Sequence, residues 1–284
     1  MKFYIVDCFA ERRYEGNELA VLIPDRFVSD SEMQQIAREV NFSETAFILS
    51  GKQANGGYDV RIFTPAAEVP FAGHPTLGTS YIINKTIENG KDGEVRLNLK
   101  AGQIPVQVVG DRFTMTQNQP VFGDTVDAES LASCFRLTAE DIREDYPVQW
   151  VSTGLESVIV PLKSLDALAG CSVDHDRFHR YIKEKYACNH LFFVDMGDGI
   201  LRARDFMEDP GFAEDPATGS ANGNLAGYLL KHNYFGKDRI SYVVHQGVEM
   251  GRPSRLYVDA ALSDGWYQIK VGGKCVIIAE GNWR

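Results

Sequence analysis

The stretch FAGHPTLGTS at 71–80 is written a second time, with changed polar residues, as FAEDPATGSANGNLAG at 212–227. Each copy passes through a Gly followed at once by a polar residue, Gly73–His74 and Gly219–Ser220, and then enters a run of small residues. Aligning Gly73 with Gly219 sets an offset of 146 positions, and Phe47 of NFSETAFIL meets Phe193 of CNHLFFVD at that same offset. Phe63 meets Phe206 at an offset of 143, so the second copy carries about three extra loop residues. Further upstream EGNELAVLIP (15–24) is echoed by TGLESVIVPL (153–162). Four segments recurring in one order mean that the chain is two copies of one mixed unit of helix and strand.

A length of 284 residues leaves room for two such domains. The chain is 44% hydrophobic and 24% charged, an ordinary globular balance. Its net charge of −10 disfavours nucleic acid and anionic membrane as partners, since both demand a basic face. No apolar run approaches a membrane span and the first residues lack a signal-peptide core, so a cytoplasmic protein is expected. The five cysteines are far apart and show no metal-ligand spacing, so no metal site is expected. His175 and His179, four apart in DHDRFHRYIKEK, read as an exposed helix face.

Alternation of apolar and polar residues predicts strands at 58–64, 94–100, 112–117, 200–206, 254–260 and 266–271. A helix is predicted over 29–40, with Ser29 and Glu32 as a capping box and Met33, Ile36, Ala37 and Val40 on one face. Segments 164–170 and 174–186 hold the comparable place in the later half.

The repeated motif reads as two helix starts. Pro75 suits a first helical position, and Ser220 an N-cap or first position. The small residues that follow, Gly78, Gly223 and Gly227 among them, are costly in a helix unless neighbours approach its backbone closely. A strongly curved sheet wrapped around the helix has that requirement. The free N–H groups of such a start make an anion site, and two starts facing one cleft would suit a carboxylate-bearing ligand.

Each candidate side chain reads two ways. His74 is either bonded locally to its loop or a neutral imidazole facing substrate. Asp215 is either the Asp of an Asp-Pro turn or a site acid, and Ser220 is an N-cap with no nucleophile motif around it. Glu44 is either an exposed loop acid or a part-buried carboxyl that takes and returns a proton. Asn17 reads as a turn residue or as a lining residue, and HQGVEMGRPS (245–254) as a turn, a cleft wall or a dimer contact.

EGNELAV (15–21), NFSETAF (41–47), RIFTPAAEVPFAGHPTLG (61–78), EDPATGSANGNLAGY (214–228) and QGVEMGRPSRLYV (246–258) together resemble the PhzF family of phenazine-biosynthesis isomerase-like proteins, within the diaminopimelate epimerase-like fold. The resemblance implies an α+β chain of two pseudo-symmetric domains, each a curled, mostly antiparallel sheet or barrel around a central helix, and a homodimer. It places residues 1–116 with 273–284 in one domain and 117–272 in the other. It implies proton chemistry without a cofactor on a small carboxylated substrate. Glu44 is then the proton carrier, His74, Asp215 and Ser220 orient the substrate, and Gly73 and Gly219 offer backbone N–H groups, with Thr218 and Asn17 beside them.

The epimerase branch of the fold uses one cysteine before the glycine of each helix start. Here those positions hold Ala72 and Thr218, so a two-thiol racemisation is not expected. Two rivals stay open at this point: a non-catalytic protein that binds a metabolite or a protein partner, and a racemase with non-cysteine bases such as Glu44 and Asp215.

Overall fold

The structure is a computed structural model that describes every residue except 185 and 208–212, with the backbone alone at 183 and 184. In chain order its first elements are β1 (Lys2–Cys8), β2 (Asn17–Ile23), α1 (Asp30–Val40), β3 (Thr45–Ile48), β4 (Gly57–Phe63), β5 (Glu68–Val69), α2 (Gly73–Thr86), β6 (Gly93–Leu99), β7 (Gly102–Val109) and β8 (Arg112–Thr116). There follow β9 (Val121–Thr125), α3 (Ala128–Cys134), β10 (Gln149–Ser152), β11 (Glu156–Pro161), α4 (Leu165–Gly170), α5 (His175–Glu184), β12 (Asn189–Asp195) and β13 (Ile200–Phe206). The chain ends with β14 (Glu214–Asp215), α6 (Gly219–Lys231), β15 (Arg239–Gln246), β16 (Ser254–Ser263) and β17 (Trp266–Asn282). Residues 174–186, read as one helix, reach Lys185, which lies outside the described residues, as do 208–212.

The chain divides into two compact units, Met1–Thr116 with Gly272–Arg284, and Gln117–Val271. Gly272, which the sequence reading grouped with the second segment, packs with the first, because a Cβ there would meet Thr114 and the Phe113 carbonyl. In the first unit β1 pairs antiparallel with β2, β2 parallel with β3, β3 antiparallel with β4, and β4 parallel with β6. Antiparallel β6–β7–β8 continues the sheet, and β17 closes it by pairing with both β8 and β1. The result is a closed eight-stranded barrel. α2 is buried nearly all round, from His74 to Asn84, as a helix without a polar face must be. Its close packing requires Gly78, where a Cβ would stand 2.5 Å from Cys8 Sγ and 2.6 Å from Leu19 Cδ2.

The second unit repeats this order. β10–β11 is antiparallel, β11–β12 parallel, β12–β13 antiparallel, β13–β15 parallel and β15–β16 antiparallel, with α6 in the place of α2. The registers correct one part of the sequence alignment. Phe47 faces Arg61 across β3–β4, and the residue that faces the matching Arg204 across β12–β13 is Phe192, not Phe193. β12 carries two adjacent phenylalanines and is buried on both faces, so no alternation marks which of them is the equivalent. With that shift, Thr45 corresponds to His190 and Glu44 to Asn189.

An ion pair confirms the correspondence. Arg61 holds Glu68 through two bonds of 2.7 and 2.6 Å, and Arg204 holds Glu214 through two of 2.8 and 2.7 Å. Each guanidinium also lies over the phenylalanine two residues on, Phe63 or Phe206. α1 packs Met33, Ile36 and Ala37 with Leu22, Phe47 and Phe63. Its Ser29 caps Glu32 N, but the Glu32 carboxylate is drawn to Arg26, so only half of the expected capping box forms. The second unit adds α3, which the sequence reading lacked, and packs it with α5 and β12.

Candidate active site

The first unit gathers Asn17, Glu44 and His74. Asn17 opens β2, Glu44 ends the loop between α1 and β3, and His74 is the second residue of α2. Asn17 and His74 are buried, at 2% and 6% exposure, whereas the Glu44 side chain keeps 19%. The Asn17 amide Nδ2 stands 3.2 Å from His74 Nδ1. An amide NH₂ can only donate, so Nδ1 accepts, and the proton of the neutral ring sits on Nε2. That nitrogen lies 3.4 Å from Glu44 Oε2. The separation is long for a hydrogen bond, as catalytic contacts often are before a substrate tightens them.

Both helix starts differ from the sequence reading by two positions or fewer, and the differences matter. The N-caps are Ala72 and Thr218, which places Pro75 third in α2 and Ser220 second in α6. Pro75 still fits, because N–H groups of the first turn have no partner in the helix. Neither N-cap supplies a side-chain cap bond. The first-turn N–H groups that begin at Gly73 and Gly219 are therefore suited to an anion.

The second unit gathers Asp215, Thr218 and Gln246, a residue of the segment 245–254 that the sequence leaves open as a turn, a cleft wall or a dimer contact. Thr218 Oγ1 donates to Asp215 Oδ2. Gln246 is fully buried, and its Nε2 donates to the Asp215 carbonyl at 2.8 Å and to Thr218 Oγ1 at 3.0 Å. Its Oε1 accepts from Thr218 N at 3.3 Å and from Asn222 Nδ2 at 3.0 Å. Gln246 thus ties the end of β15 to the strand and the helix start that flank Asp215. Its distance from them in sequence hid it, and its one sequence signal was its place at the head of QGVEMGRPS. Gly247, with φ of +70° and a would-be Cβ 2.4 Å from the Arg252 carbonyl, lets the chain turn there. Thr218 is buried and its hydroxyl and N–H are both engaged, whereas Ser220 is half-exposed.

The arrangement offers a part-exposed carboxyl beside an imidazole of fixed tautomer in one unit, and a carboxyl with a bonded hydroxyl at a helix start in the other. Each unit thus places a carboxyl close to the start of its own buried helix. His175 and His179 are exposed on α5 and belong to neither cluster.

Comparison with known proteins agrees across the chain. A family model, PhzC-PhzF, described as phenazine biosynthesis-like protein, matches residues 6–281. The chain is 34% identical over 289 residues to a trans-2,3-dihydro-3-hydroxyanthranilate isomerase of Pseudomonas fluorescens, with 98% of each chain covered. An uncharacterized isomerase of Clostridium acetobutylicum is 33% identical, with 97% of this chain and 95% of that one covered. Among solved structures, a PhzF-family protein of Bacillus anthracis superposes with a TM-score of 0.89 at 28% identity, covering 99% of this chain and 98% of that one.

Proposed function

The chain belongs to the phenazine biosynthesis-like PhzC-PhzF family and is an isomerase; we propose that it moves a proton between carbons of a small carboxylated metabolite, with Glu44 as the proton carrier. The observation that carries this reading is the contact of Glu44 with His74 Nε2, on a ring whose other nitrogen is occupied by Asn17.

In the proposed reaction the Glu44 carboxylate removes a proton from a carbon next to an activating group. Negative charge then develops on that group, where a hydrogen-bond donor lowers its energy. His74 Nε2–H is such a donor. The protonated Glu44 returns its proton to another carbon, and enzyme and substrate end with the protons they began with. Asp215 and Ser220 hold the substrate in orientation, and the N–H groups at Gly73 and Gly219 bind its carboxylate. General acid–base catalysis of this kind contributes about 10²–10⁴-fold. Asn17 and Thr218 serve the site from behind, Asn17 by fixing His74 and Thr218 by bonding Asp215.

A substrate can be found without naming it first. Carboxylated, enolisable metabolites are screened for a rise in melting temperature, since a ligand stabilises by mass action. Those that bind are incubated with the protein in D₂O. The reading expects a product of altered double-bond position carrying deuterium at carbon, and stabilisation without any isomerisation would contradict it. The family resemblance also implies a homodimer in the cytosol, and light scattering on the purified protein tests the dimer.

A further inference from the structure

Each unit carries, across three neighbouring strands, one row of side chains on the outer face of its sheet. In the first unit the row is Asp59 on β4, Asn98 on β6 and Gln103 on β7. It is closed on itself: Asn98 Nδ2 donates to Asp59 Oδ1 at 2.8 Å, and Gln103 Nε2 donates to Asn98 Oδ1 at 2.9 Å. The ladders of the second unit put Arg202 of β13, His245 of β15 and Arg255 of β16 at the same three positions. Their strand neighbours Leu201, Ala203, Val244, Gln246, Ser254 and Leu256 are buried on the opposite face, as strand alternation requires. The fold itself has no need of the basic residues, because its first copy builds the row without a cation.

The second row cannot close in that way, because a guanidinium has only donors and an imidazole has one acceptor at most. Arg202 gives Nη2 to Glu249, while its Nε is buried and has no partner among the described residues. The side chains of His245 and Arg255 make no hydrogen bond and no ion pair among the described residues. Arg202 keeps 18% side-chain exposure, and His245 and Arg255 are half-buried. Three basic groups thus share the Glu249 carboxylate, on a chain whose net charge is −10. Burial, and then the charges of Arg255 and Arg202, lower the His245 pKa, so the ring stays neutral until a negative charge joins the row. Val194 faces Arg202 from β12, and Tyr257 lies two residues beyond Arg255 on the same face.

We propose that Arg202, His245 and Arg255 form a binding site for a phosphate-type dianion, either free phosphate or the phosphoryl group of a small metabolite. Adjacent strands lie about 4.8 Å apart, so the two arginines start about 10 Å apart with His245 between them. A tetrahedral oxyanion above His245 is within reach of both guanidinium groups, which bind such groups through paired N–H donors. Glu249 balances Arg202, and Arg255 with a protonated His245 supplies the two charges that a dianion needs. The oxyanion also offers an acceptor to Arg202 Nε, which Glu249 leaves unmet. This site is separate from the residues assigned to proton transfer, so its test needs no isomerisation substrate.

The test follows the His245 ring of the full chain by ¹H–¹³C NMR as inorganic phosphate or phenyl phosphate is added, with sodium chloride at matched ionic strength as the control. The expected result is a saturable shift of the His245 signals and a titration midpoint raised by about one pH unit, with no such change in chloride. Saturation by phenyl phosphate, alone or with the inorganic ion, assigns a phosphoryl group as the ligand; saturation by inorganic phosphate alone assigns the free ion. Arg255→Gln places the first copy's residue in the row and keeps His245 as the reporter. It should weaken binding at least about tenfold, the loss of one charge-assisted contact. His245→Asn combined with Arg255→Gln should abolish the heat of phosphate binding in calorimetry and leave the melting temperature without phosphate unchanged. An equal response to phosphate and chloride, or a phosphate affinity unaltered in both variants, overturns the proposal. Binding of a polyglutamate peptide in preference to both phosphate probes also overturns it, because the row would then serve an acidic protein surface.

Discussion

Asn17 sets the tautomer of His74: its amide NH₂ stands 3.2 Å from Nδ1 and leaves the ring proton on Nε2, the side of Glu44. Asn17→Asp replaces that donor with an acceptor and should draw the proton to Nδ1. Long-range ¹H–¹⁵N spectra should show the Nε2–H form in the native protein and a proton on Nδ1 in the variant. Isomerisation should fall by about 10²-fold, the usual scale for a misplaced acid–base group.

The duplicated ion pairs should differ in worth. Arg204 keeps 9% side-chain exposure and also donates to the Leu168 and Cys171 carbonyls, at 3.0 and 2.6 Å, whereas Arg61 keeps 21%. Arg204→Met strands the half-buried Glu214 and those buried carbonyls and should lower stability by about 3 kcal/mol. Arg61→Met, at a wetter site, should lower it by about 1 kcal/mol. Urea denaturation of the two variants checks the order. Arg61 first, and Lys100 after it, hold the Glu68 carboxyl below its usual range. The stability from that pair is therefore present above the unfolded value, near 4.3, and is lost as pH falls through the lower folded value.

Two buried groups should tilt the stability in opposite directions. Burial holds His190 neutral, its pKa lowered to about 3, so the unfolded chain binds a proton the native one does not between about 6.5 and 3. Stability is lost as pH falls through that window. Asp205, raised to about 8, binds its proton in the native state, so its contribution is lost as pH rises from the unfolded value toward 8. Each slope reaches about 1.4 kcal/mol per pH unit. His190→Phe should flatten the acid side of a stability–pH curve and Asp205→Asn the neutral side.

Gly78→Ala places a methyl group 2.5 Å from Cys8 Sγ and 2.6 Å from Leu19 Cδ2. Alanine favours the helix by about 1 kcal/mol over glycine. Overpacking of a closed core costs about 1–3 kcal/mol, so the variant should unfold at lower urea than the native protein.

Much of this was legible in the sequence because the duplication is punctuated by residues with backbone roles. The glycines and prolines around Gly73 and Gly219 gave the order of elements, and the closed barrel around α2 answers the run of small residues after His74. What stayed hidden depends on contacts distant along the chain. Nothing near Gln246 points to Thr218 or Asp215, and Asp205 reads in sequence as an ordinary polar position of an alternating strand. The equivalence of Phe47 with Phe192 needed the ladder register, because two neighbouring phenylalanines on a strand buried on both faces fit the pattern equally well.

The central claim is that Glu44 carries the proton, and solvent deuterium reports on it most directly. Native protein and Glu44→Gln are incubated in D₂O with a substrate found by stabilisation, and deuterium at carbon is followed by NMR or mass. Glutamine keeps the size and hydrogen-bonding reach of the side chain but cannot take a proton. The account predicts a folded variant that still binds the ligand, with incorporation slowed at least about 10²-fold. Incorporation at the native rate in Glu44→Gln would contradict it.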